Sequence, residues 1–419
     1  MIEEKIICNK QTLVDIANAI REVTGYTEEY YPYELAALIK NLKPSEPEDP
    51  KSFSWISSIV EQGKANLHFK VGDQIITNYN DSGTVYENPF DIVQIECNPI
   101  LESGETVHGM MLQQHYATIG NCPFDAQEAL YESENELPAG TYYFTVSNDE
   151  GMESENGKTI YFSLTNALPA GGQIVFDDGD GFWSEIAGQT VSTYSNAESL
   201  DAIETITLYE GAQGTNLGRT DGTGNLNYIS RAFYGNNNYK HSMLRQFLNS
   251  DKPKDQWWKK QHKWDRLNWF PKTNNGFLYG MDPDFLSIVK PVKIQVACDN
   301  ITSNGQIDIL YDKFFPISLE QINAVPYISG IEGTALDYWI NMAQSNTTEE
   351  LTENGKFKRR TNYSILKMLK LSDKTSATAS WLISADINSS IWIGTITNTG
   401  AIDATTPTAW IRCNPVCVV

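Results

Sequence analysis

The sequence predicts an α+β multidomain protein with an N-terminal helical hairpin, a β-sandwich-like middle and a C-terminal α+β domain. Three observations carry this. Apolar residues recur at helical spacing in the first 43 positions and again after position 224. Between those regions, short β-forming runs alternate with turn clusters. A chain of 419 residues also exceeds what one hydrophobic core usually organises.

The hairpin comes first. Leu13, Ile16, Ala17 and Ile20 recur at i, i+3, i+4 and i+7, Gly25 stops the run, and Leu35, Leu38, Ile39 and Leu42 repeat the pattern. A segment of this size buries too little surface to stand alone. Its apolar faces therefore meet a partner, a second copy of the chain, or its own β region. The attachment reading of residues 1–43 places Leu13, Ile16, Ile20, Leu35, Leu38 and Ile39 at that contact. Residues 44–50, Pro44-Ser45-Glu46-Pro47-Glu48-Asp49-Pro50, form a linker, because three prolines favour extended backbone and three acids keep it solvated.

In residues 51–224 the strand candidates are Gln74–Thr77, Asp91–Glu96, Thr141–Val146, Thr159–Leu164, Gln173–Phe176 and Glu204–Tyr209. A Leu-Pro-Ala-Gly turn precedes two of them, at Leu137–Gly140 and Leu168–Gly171. Two copies do not make a solenoid. From residue 225 to 419 the texture changes. Leu244, Phe247 and Leu248 give one apolar helix face, Phe285, Ile288 and Val289 a second, and Leu336, Trp339 and Ile340 a third. Trp381–Ser384, Ser390–Gly394 and Trp410–Val419 alternate or cluster β-formers, and the first and last read as paired core strands, an arrangement of helices packed on a small antiparallel sheet.

Composition narrows the function classes. A net charge of -22 opposes binding to nucleic-acid backbones. The basic run Lys252–Lys263 reads as a solvated loop. Met1–Lys10 lacks the pattern of a secretory leader, and no apolar run reaches the length of a membrane span. Cys8, Cys97, Cys122, Cys298, Cys413 and Cys417 are expected as free thiols; a Cys413–Cys417 disulfide is the less favoured alternative. His68, His108, His115, His241 and His262 show no paired ligand spacing, and Asp177–Gly181 fits a tight turn better than a calcium loop. No nucleophile turn or phosphate loop occurs, so no catalytic residue, metal or cofactor is expected. Trp257, Trp258, Trp264 and Trp269 are dense enough for a sugar-stacking platform, although such aromatics more often fill a core.

The run Ser230-Arg231, Tyr234-Gly235-Asn236-Asn237, Leu244–Ser250, Trp257-Trp258, Phe277-Leu278, Gly280-Met281-Asp282, Asp284-Phe285 and Lys313-Phe314-Phe315 resembles a family of uncharacterised domains. These occur in gut Firmicutes bacteria and their phages and look like the C-type-lectin and formylglycine-generating-enzyme-like superfamily. The resemblance extends to Phe69–Asp73, Phe124–Tyr131, both Leu-Pro-Ala-Gly turns and the hairpin segment Leu13–Arg21. Members typically end in Trp-Trp-Leu-Arg-Ser and Gly-Val-Arg-Pro strands; this chain has Trp381-Leu382-Ile383-Ser384 and Trp410–Pro415 instead. The superfamily also holds enzymes that oxidise a cysteine with a cysteine pair and copper. Cys413 and Cys417 would be the candidates here, but they read as core, and no enzyme activity is expected.

The resemblance implies a phage virion protein, of head or tail fibre, made in the host bacterial cytoplasm and displayed on the virion surface. It would attach to capsid or tail proteins by its N-terminus and present a C-type-lectin-like domain, residues 225–419, to a host glycan or protein, with chains associating most readily as trimers. A capsid decoration or tail-assembly protein with a purely structural lectin-like domain is the alternative. The binding face is expected on Ala385–Thr408, leaving the sheet between two core strands. There Asn388, Ser389, Ser390, Thr395, Thr397, Asn398 and Thr399 would supply hydrogen bonds, and Ile391 and Trp392 apolar contact.

Overall fold

The computed structural model describes residues 52–344 and 378–419, apart from positions 82, 119, 129–130, 133–134, 137, 146–158, 165–166, 168, 171, 178–180, 185–190, 196–205, 209–227, 231–234, 262–264, 267–268, 301–302 and 399–400. The expected attachment hairpin and the linker lie outside the described residues. The chain divides into two units, Met1–Ile56 and Ser57–Val419, and helix α1 (Phe53–Glu61) spans the division. Among the described residues the protein mixes few helices with several antiparallel sheets.

One sheet begins with β1 (Gln74–Asp81) and β2 (Thr84–Cys97), an antiparallel hairpin whose register runs from Gln74 opposite Asp91 to Asp81 opposite Thr84. Gly83 takes φ 93° in the two-residue connection, a conformation open to glycine and costly for other residues. β1 alternates exposed and buried positions, with Ile75 and Thr77 inward, as a half-buried strand should. β2 is buried continuously from Asn88 to Val93, which marks it as covered on both faces. β3 (Gly109–Gln114) pairs with β2, and the terminal strand, Val416–Val418, pairs with β3, matching Cys417 to Leu112. A side chain at Gly109 would collide with Val418 and Pro99, so the close approach of the last strand depends on that glycine.

This sheet takes strands from both sides of the expected boundary at 224/225. Its first three strands come from residues 74–114 and its fourth from the C-terminus. Phe90 on β2 packs against Phe285 and Phe314, ring centroids 5.0 and 6.2 Å apart, and Phe314 continues to Phe277 and Phe247. One aromatic core therefore joins residues from both sides of the boundary. Periodicity marks which faces are apolar but not which distant strand covers them.

Between residues 131 and 230 lie the short strands β4 (Tyr131–Glu132), β5 (Gly140–Thr145), β6 (Thr159–Leu164), β7 (Gln173–Asp177), β8 (Gly181–Ser184), β9 (Val191–Ser195), β10 (Ile206–Leu208) and β11 (Tyr228–Ser230). They form the antiparallel sheets β4-β7-β8, β5-β6-β9 and β10-β11. The four strands expected from residue 141 to 209 each fall on one of these, and Asp177 pairs with Gly181 as the tight-turn reading requires.

The helices follow their apolar spacing. α2 (Met243–Leu248) is capped by Ser242, whose hydroxyl accepts from the Arg245 N–H at 3.0 Å. α3 is Trp269–Thr273. α4 (Pro283–Ile288) opens with Pro283 behind Asp282, whose carboxylate accepts the Asp284 N–H at 2.9 Å. β12 (Val292–Ala297) and β13 (Ile307–Asp312) form a hairpin, and α5 (Asp337–Gln344) starts beside Leu336. Arg245 makes a forked ion pair to the buried Asp312, tying α2 to β13.

The last sheet is β14 (Ser380–Ala385), β15 (Ile393–Ile396) and β16 (Ile402–Thr405); the strand paired to β3 is β17 (Val416–Val418). The expectation that 385–408 leaves the sheet as a surface excursion is thereby corrected. Two strands lie within it, because the β-branched Ile393, Thr395 and Ile396 fit a pleated surface despite their polar neighbours. Trp410–Val419 is likewise not one strand: Ile411 bridges Cys122, Arg412 bridges Ser380, and only Val416–Val418 forms a strand.

Candidate functional site

Much of the motif that carries the resemblance builds scaffold. Gly235 takes φ 67°, and a side chain there would strike the Ala126 carbonyl. The buried Asp125 carboxyl then accepts the Asn236 and Met243 N–H groups, both at 3.1 Å. Burial, reinforced by the neighbouring Asp265, pushes Asp125 well above the usual carboxylate range. Asn249 accepts from the Lys313 and Phe314 N–H groups and donates to the Phe314 carbonyl at 2.8 Å. Asn237 matters most for the expected binding face. Its amide nitrogen lies 2.7 Å from the Ser389 carbonyl oxygen, 3.0 Å from that of Trp392 and 3.3 Å from that of Asp386.

That clamp explains where the expected ligand-binding residues lie. Ser389 and Ser390 are buried beneath the turn that Asn237 holds, and Ile391 is fully buried. Thr395 is buried on β15, with its hydroxyl donating to the Asp403 carbonyl at 3.3 Å. Trp392 and Thr397 are half-buried, Asn388 and Asn398 are exposed, and Thr399 lies outside the described residues. The set does not converge on one exposed face. A polar side chain can satisfy backbone groups internally as readily as face a ligand, and sequence alone does not separate the two.

The tryptophans divide differently. Trp257 is core: its indole N–H donates to the Asn274 carbonyl at 2.7 Å, and its ring packs against Phe247 and Phe270. Trp258 is half-buried, and Trp264 lies outside the described residues. Trp269, at the start of α3, is 50% exposed. Its ring stacks on that of Trp410, which is 43% exposed, with centroids 4.3 Å apart and planes 9° from parallel. The two residues after Trp410 are anchored: Cys122 N–H donates to the Ile411 carbonyl at 2.8 Å, and the Arg412 guanidinium donates to the Thr118 carbonyl at 2.7 Å. Sequence reading gave Trp410 to a core strand. Its pairing with Trp269 had no signal, since the two meet only through the fold.

One helical turn beyond Trp269, α3 ends at a cleft of about 200 Å³, lined among others by Tyr79, Asp81, Gln114, Lys254, Asn274 and Asn275. The Asn274 side-chain amide nitrogen donates to the Phe270 carbonyl and the Thr273 hydroxyl, at 3.1 and 2.9 Å, while Asn275 accepts the Lys254 N–H at 2.9 Å. Among the described residues, the Asn274 oxygen and the Asn275 amide nitrogen have no hydrogen-bond partner. An exposed aromatic ridge beside amides, a phenol and single charges can hold a flat apolar face and orient the hydroxyls around it.

No cluster of three or more histidine, cysteine or acidic residues able to hold a metal occurs among the described residues. Cys413 and Cys417 are free and buried, and burial raises both thiols far above the range of a reactive thiolate. No helix among the described residues is long and apolar enough to cross a membrane.

Residues 215–413 match a family described as "Domain of unknown function (DUF6273)". The matched stretch includes Trp269 and Trp410 but none of the strands of the β1-β2-β3-β17 sheet. No curated protein and no solved structure matches the chain.

Proposed function

We propose that this chain is a bacteriophage virion protein that binds a neutral glycan of the host surface through the Trp269–Trp410 ridge and the adjoining cleft. The stacked, half-exposed indole pair is the observation that carries the binding. Leaving two large apolar rings in water is unfavourable, and their outer faces suit the apolar side of a pyranose. The cleft amides supply the directional bonds, and a net charge of -22 favours a neutral ligand over an anionic polymer. The virion setting is supported by the resemblance to phage-associated domains. In this reading residues 1–43 dock to capsid or tail, the chains associate, with trimers favoured as a closed way to cover the hairpin's apolar faces, and the C-terminal region is lectin-like. Asn388 and Asn398 stay available as peripheral contacts, and Ser389, Ser390 and Thr395 do not take part.

The test is binding of the full chain to an immobilised panel of neutral bacterial hexose and N-acetylhexosamine glycans, beside the Trp269→Ala/Trp410→Ala double variant. Wild type should bind at least one member, and the double variant should lose about tenfold or more. Equal binding by both, or none by wild type, would overturn the reading and leave a structural role in capsid decoration or tail assembly.

A further inference from the structure

A second cavity, of about 270 Å³, lies away from the tryptophan ridge. This is below the roughly 300–1,000 Å³ of pockets for drug-sized ligands, so its occupant is small. Met111, Ile294, Phe315, Ile383 and Val418 wall it, from β3, β12, β14, β17 and the chain between β13 and α5. Asn98, Lys293, Gln295 and Gln321 make the rest of the lining polar, and one buried carboxyl-bearing residue, Glu332, borders the cavity.

The bonds around Glu332 are arranged for an acceptor. One oxygen accepts the Ala297 N–H at 3.3 Å and the other the Ser384 hydroxyl. The Leu319 N–H donates to the Ser384 oxygen at 3.0 Å, which turns the hydroxyl proton toward Glu332. The neighbouring Glu320 is occupied by the N–H groups of Gly330, Ile331 and Glu332. Among the described residues no cation forms an ion pair with Glu332. A buried carboxylate of this kind is costly without a counter-charge, yet both of its oxygens accept as a carboxylate would.

We propose that this cavity binds a small organic ammonium with a short apolar tail, the ammonium seated on Glu332 and the tail against Met111, Ile294 and Phe315. The ligand provides the missing positive charge and fills apolar space. Lys293 also lines the cavity, so a zwitterionic apolar amino acid is one source of this chemistry and a simple alkylamine the other. The site is separate from the glycan ridge and does not depend on that function.

Titration calorimetry of the full chain with n-butylamine and with L-leucine at pH 8 tests it. At least one should bind, and Glu332→Gln should weaken that binding about tenfold or more. If only leucine binds and Lys293→Met abolishes that binding, the amino acid is the source; if butylamine binds regardless of Lys293→Met, the simple amine is. A measurement on the unmutated protein guards against misfolding of the variant. Burial pushes Glu332 up to about 7, so amine affinity should climb with pH up to that point and then level off. The other titratable groups facing the site are Glu320, Tyr327, Lys293 and Cys97, and burial pushes the Cys97 thiol up to about 12, beyond this window. No binding of either probe, binding unaffected by Glu332→Gln, or affinity flat between pH 5 and 8 would overturn the proposal.

Discussion

The side-chain amide of Asn237 lies 2.7 Å from the carbonyl oxygen of Ser389, and this bond converts a polar turn from a ligand loop into part of the scaffold. The same nitrogen also lies within hydrogen-bonding distance of the Asp386 and Trp392 carbonyls. Asn237→Ala removes the donor of the Ser389 carbonyl, at about 1–3 kcal/mol for a buried group left unsatisfied, whereas the Trp392 carbonyl keeps the Asp386 N–H at 3.0 Å. Urea unfolding should show a loss of about 1–3 kcal/mol, and hydrogen exchange should quicken at Ser389 and Ile391. The exposed Asn388→Ala should change stability by less than about 0.5 kcal/mol. Similar losses in the two variants would mean that the turn is not held from Asn237.

Glu332 should make stability fall as pH rises. Burial lifts its carboxyl from the ordinary 4.5 to about 7, so the folded state binds this proton more tightly than the unfolded chain. The contribution is complete below pH 4.5 and is lost as pH climbs through 7, amounting to roughly 3 kcal/mol at 1.36 kcal/mol per unit. Unfolding free energies at pH 4.5 and pH 8 should therefore fall more steeply in wild type than in Glu332→Gln. Parallel pH profiles for the two proteins would count against the shift.

A fragment of residues 225–419 should not fold alone. β17 would lose β3, Phe285 and Phe314 would lose Phe90, and the Trp381 indole would lose the Cys122 carbonyl that it meets at 2.7 Å. The fragment should show weak near-ultraviolet dichroism and no cooperative melting. A fragment beginning at residue 52 should melt cooperatively. A cooperatively melting 225–419 fragment would show that the shared core is dispensable.

Local structure was legible in the sequence because it depends on nearby residues. Leu244, Phe247 and Leu248 mark α2, and Thr159–Leu164 coincides with β6. The sheet order was not legible. Nothing in Val416-Cys417-Val418 says that it pairs with Met111–Gln113, because pairing across such a separation is set by the whole fold. The candidate site was half legible. Tryptophan density marks Trp269, whereas Trp410 reads as another core aromatic, and their stacking joins residues far apart in the sequence. The burial of Ser389, Ser390 and Thr395 was not legible, because polarity describes the side chain and not what it meets.

Trp410 separates stability from recognition. Its ring is 43% exposed and rests on Trp269, an aromatic contact worth about 0.5–1.5 kcal/mol. Trp410→Ala should therefore cost about 1 kcal/mol and leave the unfolding transition cooperative, since Cys122 and Thr118 hold the backbone of Ile411 and the side chain of Arg412 rather than the indole. Trp381→Ala is the contrast: that ring is fully buried, packs on Phe124 and donates to the Cys122 carbonyl, so about 3–5 kcal/mol should be lost. Glycan binding should respond in the opposite order under conditions where both variants are folded. Trp410→Ala should weaken it about tenfold by removing half of the ridge, while Trp381→Ala should leave affinity per folded molecule close to wild type. Tryptophan fluorescence during glycan titration gives the matching signal, with a ligand-dependent change in wild type and in Trp381→Ala that is lost in Trp410→Ala. If Trp410→Ala binds as wild type does, the ridge is not the contact surface.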